Sequence, residues 1–407
     1  MRVRAMDIAI VGGGAAAVGL LDALAGRTGR TGAINVFEPS AQLWRGRPYG
    51  PDLDAVRVNA PPANMSIRAG DSGHYSAWLG TRSTEYVDEL LGEPLIPRAL
   101  YGDYLAHTAE KAVASLAEQG RQVRVVAARV TGIDRAGGRP VLRTDGAHGQ
   151  EYEVGQVALC LGGGVPQDLY GLAGQPDFIA DPYPLAAALD HVPPESDVTV
   201  IGSGLTAVDV VVSLAARGHQ GRITLVSRGG VLPFVRQRAN GRRPRHVTTE
   251  RVAQLHQAQG RLTLDDLISL LRTELAEAGE DFDTLTAELL GAGGAADPVR
   301  RLREQLAAVD DPHIGRRVLQ QTAHTVGPCA WPLLGASDQG RLRRHLRTAV
   351  GLASPMVPMN ASVLMRLLDS GQLTFASGLR AIERTGGRGF RVRDDDGVRT
   401  ASLVVNA

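Results

Sequence analysis

Two short runs of small residues hold the clearest chemistry in this sequence. Residues 7–17 read DIAIVGGGAAA and residues 197–207 read DVTVIGSGLTA: an acidic residue, four mostly β-branched residues, then Gly-x-Gly-x-x-Ala. A pyrophosphate carries two negative charges, and a helix N-terminus offers unpaired N–H groups and a positive dipole end to meet them. The first glycine of such a turn lets the strand bend, and the second removes the side chain that would block the phosphate. The third small residue lets helix and strand approach closely. Those positions are Gly12, Gly14, Ala17 and Gly202, Gly204, Ala207, with Ala15, Ala16 and Leu205, Thr206 opening the two helices.

The two runs end differently. Glu38 lies 24 residues after Gly14, where a carboxylate can accept both ribose hydroxyls of an adenosine. The corresponding place after Gly204 holds Ser227 and Arg228, at 23 and 24 residues. A hydroxyl followed by a guanidinium suits a 2′-phosphate, which needs donors and positive charge. The first site therefore fits FAD or NAD. The second fits NADP, with NAD as the alternative.

Each glycine turn sits in a strand–turn–helix unit that continues through a second apolar strand, 33–38 (AINVFE) and 222–228 (RITLVSR). Two βαβ openings about 190 residues apart predict an α/β chain with two Rossmann-like dinucleotide-binding domains. Between them, residues 99–120 carry helical periodicity and end in Gly. Strand-like pieces follow at 122–133, 140–144 and 156–164, the last running through QVALCL into a turn that contains Gly162. Residues 191–196, HVPPES, read as a linker. Residues 247–350 read as a helical insertion in the second domain, with Thr263 as an N-cap. Strand patterns return from 372. The expected division is 1–190 for the first part of the FAD-binding domain, 191–354 for the NAD(P)-binding domain, and 355–407 for a return to the FAD-binding domain.

Composition excludes several classes. With 44 basic and 43 acidic side chains there is no charge excess to displace counterions from nucleic acid. No window approaches the roughly 18 apolar residues of a bilayer span, and residues 1–14, although basic at the start, lack a signal-peptide apolar region, so the reading is cytoplasmic. Cys160 and Cys329 are too few and too far apart for a disulfide scaffold, a zinc site or a CxxC pair, and no metal is expected. Lys111 is the only lysine, so the Arg clusters at 242–245 and 341–347 read first as solvated faces.

Four further segments, WRGRPYG (44–50), NAPPANM (59–65), PRALYGDYL (97–105) and GSGLTAVD (202–209), resemble a bacterial FAD/NAD(P)-binding flavoprotein family. That family is related to the flavin-dependent N-hydroxylating monooxygenases. The resemblance implies FAD in the first domain and NADPH in the second, the nicotinamide reducing the flavin. It implies that Gly12, Gly14 and Glu38 hold FAD, and that Trp44 and the stretch from Asn59 to Met65 face the flavin ring, with core packing as the alternative for Trp44 and Met65. Val130 is expected to offer its backbone to the adenine or else to pack. Tyr101 and Tyr104, one helical turn apart, read as structural, and His246 reads as exposed. The implied activity is oxygen transfer through a flavin hydroperoxide to a small amine or amino acid, with the chemistry borne by the flavin. The alternatives are a flavin reductase with another acceptor, and a non-catalytic nucleotide-sensing protein whose helical segment contacts a partner. A homo-oligomer is left open.

The last residues, ASLVVNA, repeat the pattern of QVALCLGGG. They are expected to be a strand of the first domain, and the 407 residues to be part of a longer chain.

Overall fold

The computed structural model describes residues 7–27, 32–145, 150–291 and 297–407; the basic residues at 1–6 lie outside them. The chain divides into two units, 1–87 with 94–166 and 183–190, and 88–93 with 167–182 and 191–407.

The first unit is built on four parallel strands, β1 (Ile8–Val11), β2 (Ile34–Phe37), β3 (Val123–Val126) and β4 (Gln156–Leu159), in the order β3-β2-β1-β4. All four residues of β1 are buried, as a central parallel strand covered on both faces requires. One cover is helical. Helix α1 (Ala15–Ala25) packs with α2 (Arg98–Glu118), and Val18, Leu21, Tyr104 and Leu105 share a core with Ile8, Ile10 and Ile34. The other cover is a three-stranded antiparallel sheet, Val130–Ala136, Arg139–Thr144 and Glu151–Glu153, whose Leu142 and Val154 close over Ala9, Val11 and Phe37.

The second unit repeats the plan. Its parallel sheet has five strands, β5 (Phe178–Ile179), β6 (Val198–Ile201), β7 (Ile223–Val226), β8 (Leu373–Ala376) and β9 (Leu403–Asn406), ordered β5-β9-β6-β7-β8. Helices α3 (Leu205–Ala216) and α4 (Pro358–Asp369) pack beside it, and a second antiparallel meander spans Ala381–Arg384, Phe390–Asp394 and Gly397–Ala401.

The described residues between Thr249 and Ala353 are largely helical. The N-cap expected at Thr263 is present as a reciprocal pair: its side chain accepts the Asp266 N–H, and the Asp266 carboxylate accepts the Thr263 N–H at 2.9 Å. The Arg loop at 242–245 is anchored rather than loose. Fully buried Glu274 accepts the backbone N–H groups of Arg245 and His246 at 2.8 and 2.7 Å, and half-buried His246 places Nε2 2.8 Å from Glu277.

The expectation that residues 355–407 return to the first unit is corrected. β9 pairs in parallel with β6, Ile201 opposite Asn406, and the meander before it belongs to the same unit. The reason is that LVVN has the signature of any central parallel strand. Pattern alone does not say which open sheet edge receives it. Among the described residues no helix is long and apolar enough to cross a membrane.

Candidate functional site

Each unit presents a glycine turn at the carboxyl end of an inner strand, β1 in the first and β6 in the second, where doubly wound sheets bind ligands. In the first, Gly12 has φ +101°, and its N–H donates to Phe37 O at 2.9 Å. A Cβ on Gly12 would stand 2.2 Å from the carbonyl oxygen of Cys160, just past β4. In the second, Gly202 has φ +119°, its N–H donates to Val226 O at 2.8 Å, and a Cβ would stand 2.6 Å from Ala407 O, just past β9. Both first positions are thus reserved for glycine by conformation and by space.

Helices α1 and α3 start from Gly14 and Gly204, neither of which caps with a side chain, and neither helix has an acid in its first turn. The amides that open each helix, at Ala15 and Ala16 and at Leu205 and Thr206, therefore meet no competing carboxylate. This is the donor set a pyrophosphate requires, so the residues present fit a dinucleotide at both turns.

The surroundings differ. Glu38 follows β2 directly, and its carboxylate accepts the Gly13 N–H at 2.8 Å and the Ser40 N–H at 2.9 Å. Two carboxylate oxygens offer about four acceptor sites, so capacity for ribose hydroxyls is left. Above the turn, a Cβ on Gly14 would lie 3.4 Å from the Cα of Gly46, which itself has φ +67°.

In the second unit the sheet register makes Ser227 the counterpart of Glu38, since Phe37 pairs with Val11 as Val226 pairs with Ile201. Arg228 lies one residue further on and is exposed. Ser203, in the middle of the Gly-Ser-Gly turn, donates to Val231 O at 2.7 Å and lies 3.0 Å from Ser227 Oγ, which also accepts the Gly230 N–H at 3.0 Å. Nothing stands within 4 Å of a Cβ on Gly204. Tyr170 packs against the apolar group formed by the strand ends Ile201 and Val226; burial pushes its phenol up and the charge of Arg228 opposes that shift.

The remaining expected residues divide. Trp44 lies buried in the first unit's core at φ +68°, and its left-handed backbone helps turn the chain that carries Gly46. Met65 packs partly buried on the same core, and its carbonyl accepts the Tyr101 hydroxyl at 3.0 Å; Asn59 is half-buried three residues before the short turn Pro62–Asn64. Val130 packs against the group around Phe37 and pairs with Thr144. Gly162 follows β4 in an exposed loop at φ +68°. Ser203, Gly46 and Tyr170 were not singled out from sequence. For Gly46 the glycine in WRGRPYG was an available signal, whereas the roles of Ser203 and Tyr170 depend on residues 24 or more positions away.

Residues 9–164 match a family model described as FAD-NAD(P)-binding. Three solved structures show the fold this chain shares. L-lysine 6-monooxygenase from Pseudomonas syringae is 16% identical with TM-score 0.55, the match covering 99% of this chain and 80% of that one. The ornithine N-hydroxylase of Kutzneria sp. 744, solved with reduced FAD, NADP+ and L-ornithine, is 12% identical with TM-score 0.53, covering 99% and 80%. The lysine monooxygenase of Nocardia farcinica is 15% identical with TM-score 0.50, covering 98% and 80%. No curated protein sequence matches the chain. The chain thus has the α/β class with two Rossmann-like units, and its residues 9–164 carry the FAD-NAD(P)-binding match.

Proposed function

We propose that this chain is a cytoplasmic, FAD-dependent, NADPH-consuming monooxygenase that hydroxylates the nitrogen of a small amine or amino acid. The observation that carries the reading is the contrast between two otherwise equal turns. The first ends in a carboxylate suited to the ribose of FAD, and the second ends in Ser227 and Arg228, suited to a 2′-phosphate. The lysine and ornithine hydroxylases that share the fold support the choice of substrate class.

When bound, the flavin supplies the electron transfer from nicotinamide and the activation of oxygen. The chain's own work is binding. The amides at Ala15 and Ala16 would hold the FAD pyrophosphate, while Glu38 keeps the turn braced through Gly13 and would accept ribose hydroxyls. In the second unit Leu205 and Thr206 would supply the amides, and Arg228 the charge for the 2′-phosphate.

The test is NADPH oxidation by flavin-loaded protein screened over amines and amino acids, with peroxide and hydroxylated product both measured. Substrate-dependent N-hydroxylated product supports the reading; NADPH oxidation that yields only peroxide or a reduced acceptor points to a reductase instead. In the same assay Arg228→Ala should raise the NADPH KM about tenfold, the loss of one charge-assisted contact, with little change for NADH. Unchanged discrimination removes the assignment of Arg228.

A further inference from the structure

The first unit concentrates the chain's oxidisable rings. Of eight tyrosines and three tryptophans, Tyr49, Tyr75, Tyr101, Tyr104 and Trp78 form one connected stack with neighbouring ring centroids 4.5 to 6.3 Å apart. The cause is local. The short helix His74–Leu79 presents Tyr75 and Trp78 one turn apart, α2 presents Tyr101 and Tyr104 at the same spacing, and the two faces meet.

Within the stack the hydroxyls have different neighbours. Tyr75 is fully buried and its hydroxyl has no hydrogen-bond partner. Tyr101 donates to the Met65 carbonyl, which cannot take up a proton. Tyr104 is different: its oxygen accepts the Ile67 N–H at 3.1 Å and lies 2.8 Å from Nδ1 of His74. In the tautomer that carries its proton on Nε2, His74 Nδ1 accepts the phenol's own hydrogen. Burial, then the charge of Arg68, hold the His74 pKa below its ordinary value, which favours the neutral imidazole that can take up the phenol's proton. The other charged groups facing His74 are Asp22, Asp71 and Lys111, and Asp22 is itself paired with Arg68 at 2.8 Å.

We propose that Tyr104 and His74 form a proton-coupled one-electron donor, reached through the aromatic stack. A one-electron oxidant removes an electron from Tyr104, the O–H bond breaks, and the proton passes to His74 Nδ1. This leaves a neutral phenoxyl beside an imidazolium and an oxidant reduced by one electron. The other rings are poorer resting places. Tyr75 has no base, and a positive Trp78 ring would face the Arg82 guanidinium 4.1 Å above it.

The stack also reaches toward the glycine turn. Gly46 lies against Gly14, and three residues on, the ring of Tyr49 stands 4.7 Å from Tyr101. Peroxide-derived radicals, the leakage products of oxygen chemistry at a bound flavin, are the oxidant class the pair would intercept. Only this source of oxidant rests on the function proposed above; the redox pair itself does not.

The full chain, without flavin, is oxidised by flash-generated tris(bipyridine)ruthenium(III) and frozen for electron paramagnetic resonance. A neutral tyrosyl signal is expected that Tyr104→Phe largely removes and Tyr75→Phe leaves in place. His74→Gln keeps an acceptor but no base, and should slow radical formation by about tenfold or more. An undiminished signal in Tyr104→Phe, or wild-type kinetics in His74→Gln, overturns the proposal. Should His74→Gln fail to fold, the wild-type chain decides: the rate should rise with pH as His74 loses its proton and fall in deuterated water, and a rate indifferent to both overturns it. A failed radical experiment leaves the flavin function standing, and a protein that binds no flavin leaves the radical result standing.

Discussion

The two glycine turns share a backbone and differ in what braces it. In both, the first glycine is pressed against the carbonyl that ends a neighbouring parallel strand, Cys160 in one case and Ala407 in the other. Around the first turn lie a carboxylate on the Gly13 amide and a backbone segment over Gly14; around the second lie two serine hydroxyls, with open space at Gly204. The difference separates what the fold requires from what the ligand requires. Close approach of strand, turn and helix belongs to the fold, while charge and cover differ between the two sites.

The largest expected effect tests the shared part. Gly12→Ala should cost about 3 to 5 kcal/mol, the sum of left-handed strain and backbone overlap. Gly202→Ala should cost less, since its Cβ would meet Ala407 O at 2.6 Å rather than Cys160 O at 2.2 Å. Urea melts of both variants check this, and two near-neutral substitutions would break the claim of a common tight turn. The next effect tests the difference. Gly46→Ala, at φ +67° and 3.3 Å from the Cα of Gly14, should lose about 1 to 2 kcal/mol, whereas Gly204→Ala should melt like wild type and lose only nucleotide affinity. Equal destabilisation by the two would show that the second turn is not open.

Smaller still, Ser203→Ala removes the hydroxyl that ties the second turn to Val231 and should cost about 1 kcal/mol in the same melts. A full loss of folding would mean the serine pair does more than brace a loop. The smallest effect is a pH dependence. Burial holds buried His219 of the second unit below its ordinary pKa, despite Glu195 and Asp197 nearby. As pH falls through the ordinary value, about 6.5, the unfolded chain takes up a proton that the folded chain refuses. Stability therefore drops on the acid side. The melting temperature of His219→Gln should fall less between neutral pH and the acid side of that value than that of wild type, and parallel curves would count against the assignment.

Much of this arrangement was legible in the sequence because a strand–turn–helix is a local object. Residues 7–17 and 197–207 declare themselves through periodicity and glycine spacing, and Thr263 through its capping partner three residues on. Counting along the chain did less well where the answer lay in register. Spacing from Gly204 leaves Ser227 and Arg228 as equal counterparts of Glu38, because the whole path from the second glycine to the end of the next strand is one residue shorter in the second unit; the sheet pairing selects Ser227. Pattern places the terminal strand in the wrong unit for a related reason, since an apolar strand does not name its partner. Trp44 shows a third limit. Its residue type suits a ring-binding role and a core role alike, and spacing along the chain carries no sign of the burial that the structure gives it.

The pairing of β6 with β9 also bears on the order in which the molecule can be made. All four strands of the first sheet are present once residue 159 has been synthesised, so that sheet can close while the chain is still growing. The second cannot. Its central strand at 198–201 must wait for a neighbour at 403–406, across a stretch that includes the helical segment. Domains that fold as they emerge do so from the N-terminus, and contacts of such long separation form slowly. Until then the edge of β6 is open to other strands, and the second sheet is the later of the two to close.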